Sequence, residues 1–221
     1  GKERVIMEKK LFTRDFTLVV AGQIISLFGN AAIRFALPLY LLNQTGSSAL
    51  YGTVMAGAFV PMILFSPIGG LIADRVNKRN IMVALDFTTA GLLLVFMVLQ
   101  GRINLVFLLA LTLMLLYGIA GAYQPAVQAS IPVLAAQENF MRANAVINVI
   151  SSFASLLGPV LGGILYSVYG LIPILEVCIV CFVLSAVMEI FIRIPHGKQE
   201  SEDSIFGIMR KDFGGSIRFI R

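Results

Sequence analysis

Apolar residues fill this chain in long runs, and polar residues gather in the short gaps between them. Six runs can be drawn, at about 16–43, 48–73, 80–100, 104–133, 145–169 and 171–194, each near the length that crosses the apolar core of a bilayer. The pattern predicts an all-α membrane protein of six transmembrane helices. It leaves residues 1–15 and 195–221 as polar, basic segments outside the bundle. A cleaved secretory signal is a poor alternative, because apolar segments continue as far as residue 194.

Composition agrees with that pattern. Charged residues make up 13 % of the chain and hydrophobic ones 58 %, against about 25 % charged in an ordinary soluble domain. The charge is +5, but its placement argues for membrane topology rather than nucleic acid. Lys2, Arg4, Lys9, Lys10 and Arg14 precede the first span, and Arg75, Lys78 and Arg79 join the second to the third. Arg142 lies between the fourth and fifth spans, and Arg193, Lys198, Arg210, Lys211, Arg218 and Arg221 follow the sixth. The opposite side carries only Arg102. By the positive-inside rule both termini are cytoplasmic, in an inner or plasma membrane. The tail after Pro195 ends in "SIFGIMRKDFGGSIRFIR", which reads as an amphipathic helix on an anionic leaflet.

The chemistry available is narrow. His196 is the only histidine, so a histidine-based metal site or catalytic triad is excluded. Cys178 and Cys181 form a C-x-x-C inside an apolar run with no second pair, which reads as buried inert thiols rather than a redox or zinc site. No nucleophile–base pair or phosphate loop appears, and the chain is not expected to be an enzyme or to hold a cofactor.

The first and fourth runs carry related polar stripes. Gln23, Asn30 and Arg34 share one helical face, and Tyr117, Gln124 and Gln128 repeat the spacing. A proline follows each set, Pro38 and Pro132, and "SPIGG" in the second run echoes "GPVLGG" in the fifth. Three spans followed by three similar ones is the pattern of a 3+3 inverted repeat. Polar side chains inside a membrane either bond between helices or face a wet cavity. The six stripe residues are therefore candidate substrate-binding residues. Arg34 lies roughly nine residues from the outer end of its span, at the limit of snorkelling. A partner carboxylate or an anionic or polar solute is expected beside it. Asp86 and Glu176 are candidate coupling carboxylates, although Asp86, near the Arg75–Arg79 cluster, is expected to pair with a base. Glu189 is expected to be solvated.

The stretch "GGLIADRVNKRN" resembles the loop 2–3 signature of the major facilitator superfamily, with Gly70, Asp74, Arg75, Lys78 and Arg79 in place. Asn77 stands where glycine is usual, and it tolerates left-handed backbone better than most residues. "SSFASLLGPVLGGIL" looks like the end of the superfamily's antiporter motif, carried by Gly158, Pro159, Gly162 and Gly163; a general small-residue packing face is the alternative. "ALPLYLLNQTGSSALYG", "IMVALD" and "FMRANAVINVISSFASLLGP" are similar to the bacterial drug-efflux branch that includes macrolide exporters and the enterobactin exporter.

The resemblance implies a gate at the 2–3 loop and alternating access between two six-helix bundles, driven by a proton or sodium gradient. It implies efflux of amphipathic drug-like or siderophore-like molecules. The arginine that many proton-coupled members carry in the fourth span has no counterpart, since no arginine lies between Arg102 and Arg142. Six spans correspond to the N-terminal half of a member, so the partners implied are a small-molecule substrate, the lipid bilayer, and a C-terminal six-helix half or a second copy. An uptake symporter, or a non-transporting receptor or scaffold of the same fold, are the competing readings.

Overall fold

The computed structural model describes residues 13–135 and 137–193, with the side chains of Asp74, Arg75 and Glu138 left out. The basic N-terminus, His196 and the proposed amphipathic tail lie outside the described residues, as does any role of the Asp74 and Arg75 side chains. Among the described residues there is no strand. Six helices follow one another: α1 Arg14–Thr45, α2 Ser48–Arg75, α3 Lys78–Leu99, α4 Leu105–Leu134, α5 Phe140–Tyr169 and α6 Leu171–Ile190. All six are long and apolar enough to cross a membrane. The bounds follow the hydropathy pattern closely. The exceptions are the start of α5, which Phe140, Met141, Arg142, Ala143 and Asn144 extend beyond the run drawn from 145, and the earlier end of α6.

Side chains in the gaps explain where the helices start. Thr13, Ser47, Asn77 and Asn104 each accept a hydrogen bond from a backbone N–H in the first turn of α1, α2, α3 and α4. Asn77 does this from extended backbone, with φ −60° and ψ 113°. It is therefore not the left-handed stand-in for glycine that the motif suggested; its value here is its amide oxygen, 3.1 Å from the Arg79 N–H. Left-handed turns are made by glycine itself, at Gly46 (φ 63°) after α1 and at Gly170 (φ 78°) between α5 and α6.

The most extensive helix pairings are α2 with α4, α1 with α5, α1 with α6, and α3 with α6, followed by α3 with α4. Two of them depend on missing side chains. A Cβ on Gly69 of α2 would lie 2.6 Å from the Ala122 Cα of α4, and one on Gly162 of α5 would lie 2.9 Å from the Ala32 Cα of α1. Backbones approach this closely only where the side chain is hydrogen. Gly158 packs in the same way on Ala31. The glycine motif of α5 is thus a packing seam on α1, whatever else it does.

The interior divides into two apolar clusters. One gathers Ile33, Leu37, Leu41, Phe96, Leu113 and Phe182 with their neighbours. The other gathers Phe16, Val19, Met82, Val127, Ile131 and Ile147. On α1, α3 and α6 the stretch between the clusters carries buried polar groups: Gln23 and Ser26, Asp86 and Thr89, Ser185 and Glu189. Tyr123 of α4 reaches the same level from the edge of the second cluster. A polar layer interrupts an otherwise apolar core.

A candidate solute groove and a sealed polar layer

Each polar face of α1 and α4 lies toward a groove flanked by α2 and α5. The groove holds two adjoining cavities of about 480 and 320 Å³, and Leu27, Asn30, Arg34 and Gln124 border both. Apolar walls come from Met62, Ile63 and Ile119 in the larger cavity and Ala31, Phe35 and Ala154 in the smaller. Arg34 is half-buried, and its guanidinium sits 3.9 Å from the centroid of the Tyr117 ring. That ring is braced edge-on by Phe59 at 5.2 Å and 77°. A cation held against an aromatic face keeps its hydrogen-bond donors free. Among the described residues no carboxylate pairs with Arg34. Of the two partners expected for this arginine, the carboxylate is absent among the described residues.

The stripe residues divide. Asn30, Arg34, Tyr117 and Gln124 border the groove. Gln23 does not: it is fully buried, and its Nε2 donates to the Tyr123 hydroxyl at 2.9 Å. Gln128 is exposed and borders neither cavity. Helical spacing put each set on one face, but that face runs from the groove into a helix contact at the Gln23 end.

The carboxylates also depart from expectation. Asp86 accepts from the Ser26 hydroxyl at 3.0 Å, and no basic side chain among the described residues pairs with it. Arg79 is engaged elsewhere, donating to the Ile192 carbonyl at 3.2 Å and to the Asn80 side chain. Glu189, expected in solvent, is fully buried and accepts from the Tyr123 hydroxyl at 2.6 Å. The reason is close packing of α6 on α1. Where Gly22 has no side chain, a Cβ would meet Glu189 and Ser185 at 3.4 to 3.5 Å. Glu176 is exposed on α6 and borders neither cavity. Sequence reasoning missed Ser26, Tyr123 and Ser185, and placed Glu189 in solvent. The available signal was Glu189 falling one helical turn after Ser185 on an apolar helix.

Of the motif residues, Pro159 borders the smaller cavity, Lys78 opens α3, and Gly70 is in ordinary contact with Pro125. Gly163 lies against the Phe35 ring. Cys178 is buried with its thiol 3.5 Å from the Gly29 carbonyl, and Cys181 is partly buried; both are free thiols.

The sequence profile of the Major Facilitator Superfamily matches residues 19–212. The chain belongs to the Major Facilitator Superfamily. Among curated relatives, macrolide efflux protein A of Streptococcus pyogenes is 25 % identical over 181 residues, covering 81 % of this chain and 45 % of that protein. The lysophospholipid transporter LplT of Yersinia pestis is 30 % identical over 191 residues, covering 85 % of this chain and 44 % of LplT. The chain therefore spans a little under half the length of these relatives. The crystal structure of the POT family transporter PepTSo superposes with a TM-score of 0.75 at 17 % identity, over 87 % of this chain and 40 % of that one. That likeness shows the superfamily fold. The chain is a multi-pass membrane protein of a transporter superfamily, and both named relatives are transporters rather than enzymes.

Proposed function

We propose that this superfamily chain supplies the substrate-binding half of a secondary-active exporter of amphipathic small molecules. The observation that carries the reading is Arg34: an intramembrane cation without a counter-ion among the described residues, stacked on Tyr117 at the border of an open groove with apolar walls. Such a groove suits a solute with an apolar body and an anionic or electron-rich group. Macrolides and lysophospholipids, the compounds in the names of two relatives, are both amphipathic.

A second six-helix bundle, from a longer chain or a second copy, would close the groove, and rocking of the two bundles would expose it to each side in turn. The 3+3 repeat is supported by the pairing of the helices. Exchanging α1–α3 with α4–α6 turns the α1–α5 contact into α4–α2, and the α1–α6 contact into α4–α3; all four are major contacts. Cytoplasmic termini in the cell membrane, antiport, and an ion gradient as energy source belong to the same reading. The bond from Arg79 to the Ile192 carbonyl ties the 2–3 connection to the end of α6, as a gate element would require.

The test is efflux from cells expressing the full-length gene, with a macrolide and a fluorescent lysophospholipid as separate cargoes. Wild-type cells should accumulate less of at least one cargo, and Arg34→Ala should restore accumulation. Concentrative uptake would instead indicate a symporter. No flux in either direction, with Asp74→Asn silent as well, would indicate a receptor or scaffold.

A further inference from the structure

The polar layer inside the bundle has more acceptors than donors. Its members come from four helices: Gln23 and Ser26 on α1, Asp86 on α3, Tyr123 on α4, and Ser185 and Glu189 on α6, all buried. Every hydroxyl proton is already committed. Tyr123 donates to Glu189 Oε1 at 2.6 Å, Ser26 to Asp86 Oδ1 at 3.0 Å, and Ser185 to the Gly22 carbonyl at 3.1 Å. Gln23 Nε2 donates to the Tyr123 oxygen. Three buried oxygens are left with no donor: Gln23 Oε1, Asp86 Oδ2 and Glu189 Oε2. Gln23 and Glu189 are joined through the Tyr123 hydroxyl, Asp86 is bonded to Ser26 one turn after Gln23 on α1, and each of the three oxygens is buried.

Such a layer is costly as it stands. A buried carboxylate without a counter-ion loses the solvation it has in water, and a buried acceptor without a donor loses a hydrogen bond it would have there. Among the described residues no basic side chain pairs with the layer: Arg34 lies on Tyr117, and Arg79 on Ile192 and Asn80. Satisfying the three oxygens with protons requires two of them, one on each carboxylate. A single cation with oxygen ligands does it alone.

We infer that Gln23, Asp86 and Glu189, with the hydroxyls around them, form a binding site for one hard cation beside the solute groove. The donor set is carboxylate, amide carbonyl and hydroxyl oxygen, which is the chemistry of calcium and sodium rather than of softer metals. Two carboxylates balance the charge of a calcium ion. A sodium ion would leave one of them to keep a proton. Access runs from the groove, because Asp86 and Tyr123 also border its larger cavity. Glu189 reaches the layer where α6 packs on α1 at Gly22. The inference does not depend on export, since an ion can bind without solute flux.

The experiment is ion binding by the purified chain in lipid nanodiscs, in N-methyl-D-glucamine chloride at constant ionic strength. Radiolabelled calcium and sodium are titrated separately, and thermal unfolding is followed with each ion across a pH series. The expected result is saturable binding of one of the two ions and a Tm that rises with its concentration. Glu189→Gln and Asp86→Asn should each weaken binding by at least about tenfold, and Gln23→Leu should weaken it less. Glu176→Gln, on the exposed face of α6, should bind as wild type. Misfolding is separated from ligand loss by the ion-free Tm. Replacing a buried unpaired carboxylate by an amide should leave that Tm equal or higher, and circular dichroism should be unchanged. Absence of saturable binding by either ion overturns the inference, as does equal binding by Glu189→Gln. A Tm that responds to pH and to neither ion would make the layer a proton site and overturn it too.

Discussion

One helical turn of α1 separates two polar regions with opposite properties. Asn30 faces the groove, yet its Nδ2 donates to the carbonyl of Ser26, whose hydroxyl belongs to the sealed layer. The groove is open, lined by mixed polar and apolar groups, and cationic through Arg34. The layer behind it is buried and oxygen-rich, carries the Asp86 and Glu189 carboxyl groups, and meets the groove at Asp86 and Tyr123. The contrast shows that polarity in a membrane span does not by itself mark a transport path. An exposed charge with free donors suits a solute, whereas a buried one must be satisfied from within or by something small enough to enter from the groove.

The sharpest way to break this contrast is Arg34→Ala. Transport should fall by more than about tenfold, the size of effect that losing one charged substrate contact of about 1.4 kcal/mol or more gives. Its Tm and membrane insertion should barely change, because the side chain is half-buried and bonded only to a ring face. Normal efflux by this variant would remove Arg34 from the site. Next come Gly69→Ala and Gly162→Ala, which probe the frame that holds both regions. Each new methyl would run into backbone of the opposing helix, and overpacking of that kind costs about 1–3 kcal/mol. Unfolding curves unchanged from wild type would show that the two seams are looser than drawn.

Two glutamines then test the contrast with chemistry held constant. Gln23→Ala removes a buried donor from Tyr123 and should cost about 1–3 kcal/mol, read as a lower Tm in ion-free buffer. Gln128→Ala, exposed and away from both cavities, should stay within about 0.5 kcal/mol and leave transport unchanged. A larger loss at Gln128 than at Gln23 would reverse the assignment.

Much of the site was legible because span and face are local properties. Asn30 and Arg34, with Tyr117 and Gln124, were grouped by helical spacing alone, and they do border one groove. Gln23 and Gln128 satisfy the same spacing and fall outside it. Spacing specifies the direction of a side chain around its own helix axis but not what stands opposite. At Gln23 the opposite wall is Tyr123; at Asn30 it is open space. Glu189 went unrecognised for a related reason. Nearness to a helix end suggests solvent, and only the seat of α6 on α1 at Gly22 shows that the end is covered.

The amino-acid sequence by itself determined six spans, the capped starts of the first four and the glycine turns at Gly46 and Gly170, because hydropathy, capping and left-handed backbone are decided within a few residues. It also placed the small residues of α5 that make a close helix contact. The tertiary structure alone decided which polar groups are sealed and which are open. That distinction depends on residues far apart in the chain: 100 between Gln23 and Tyr123, 66 between Tyr123 and Glu189, 60 between Ser26 and Asp86. Four helices must pack before their oxygens share one space, so no local pattern can encode the layer.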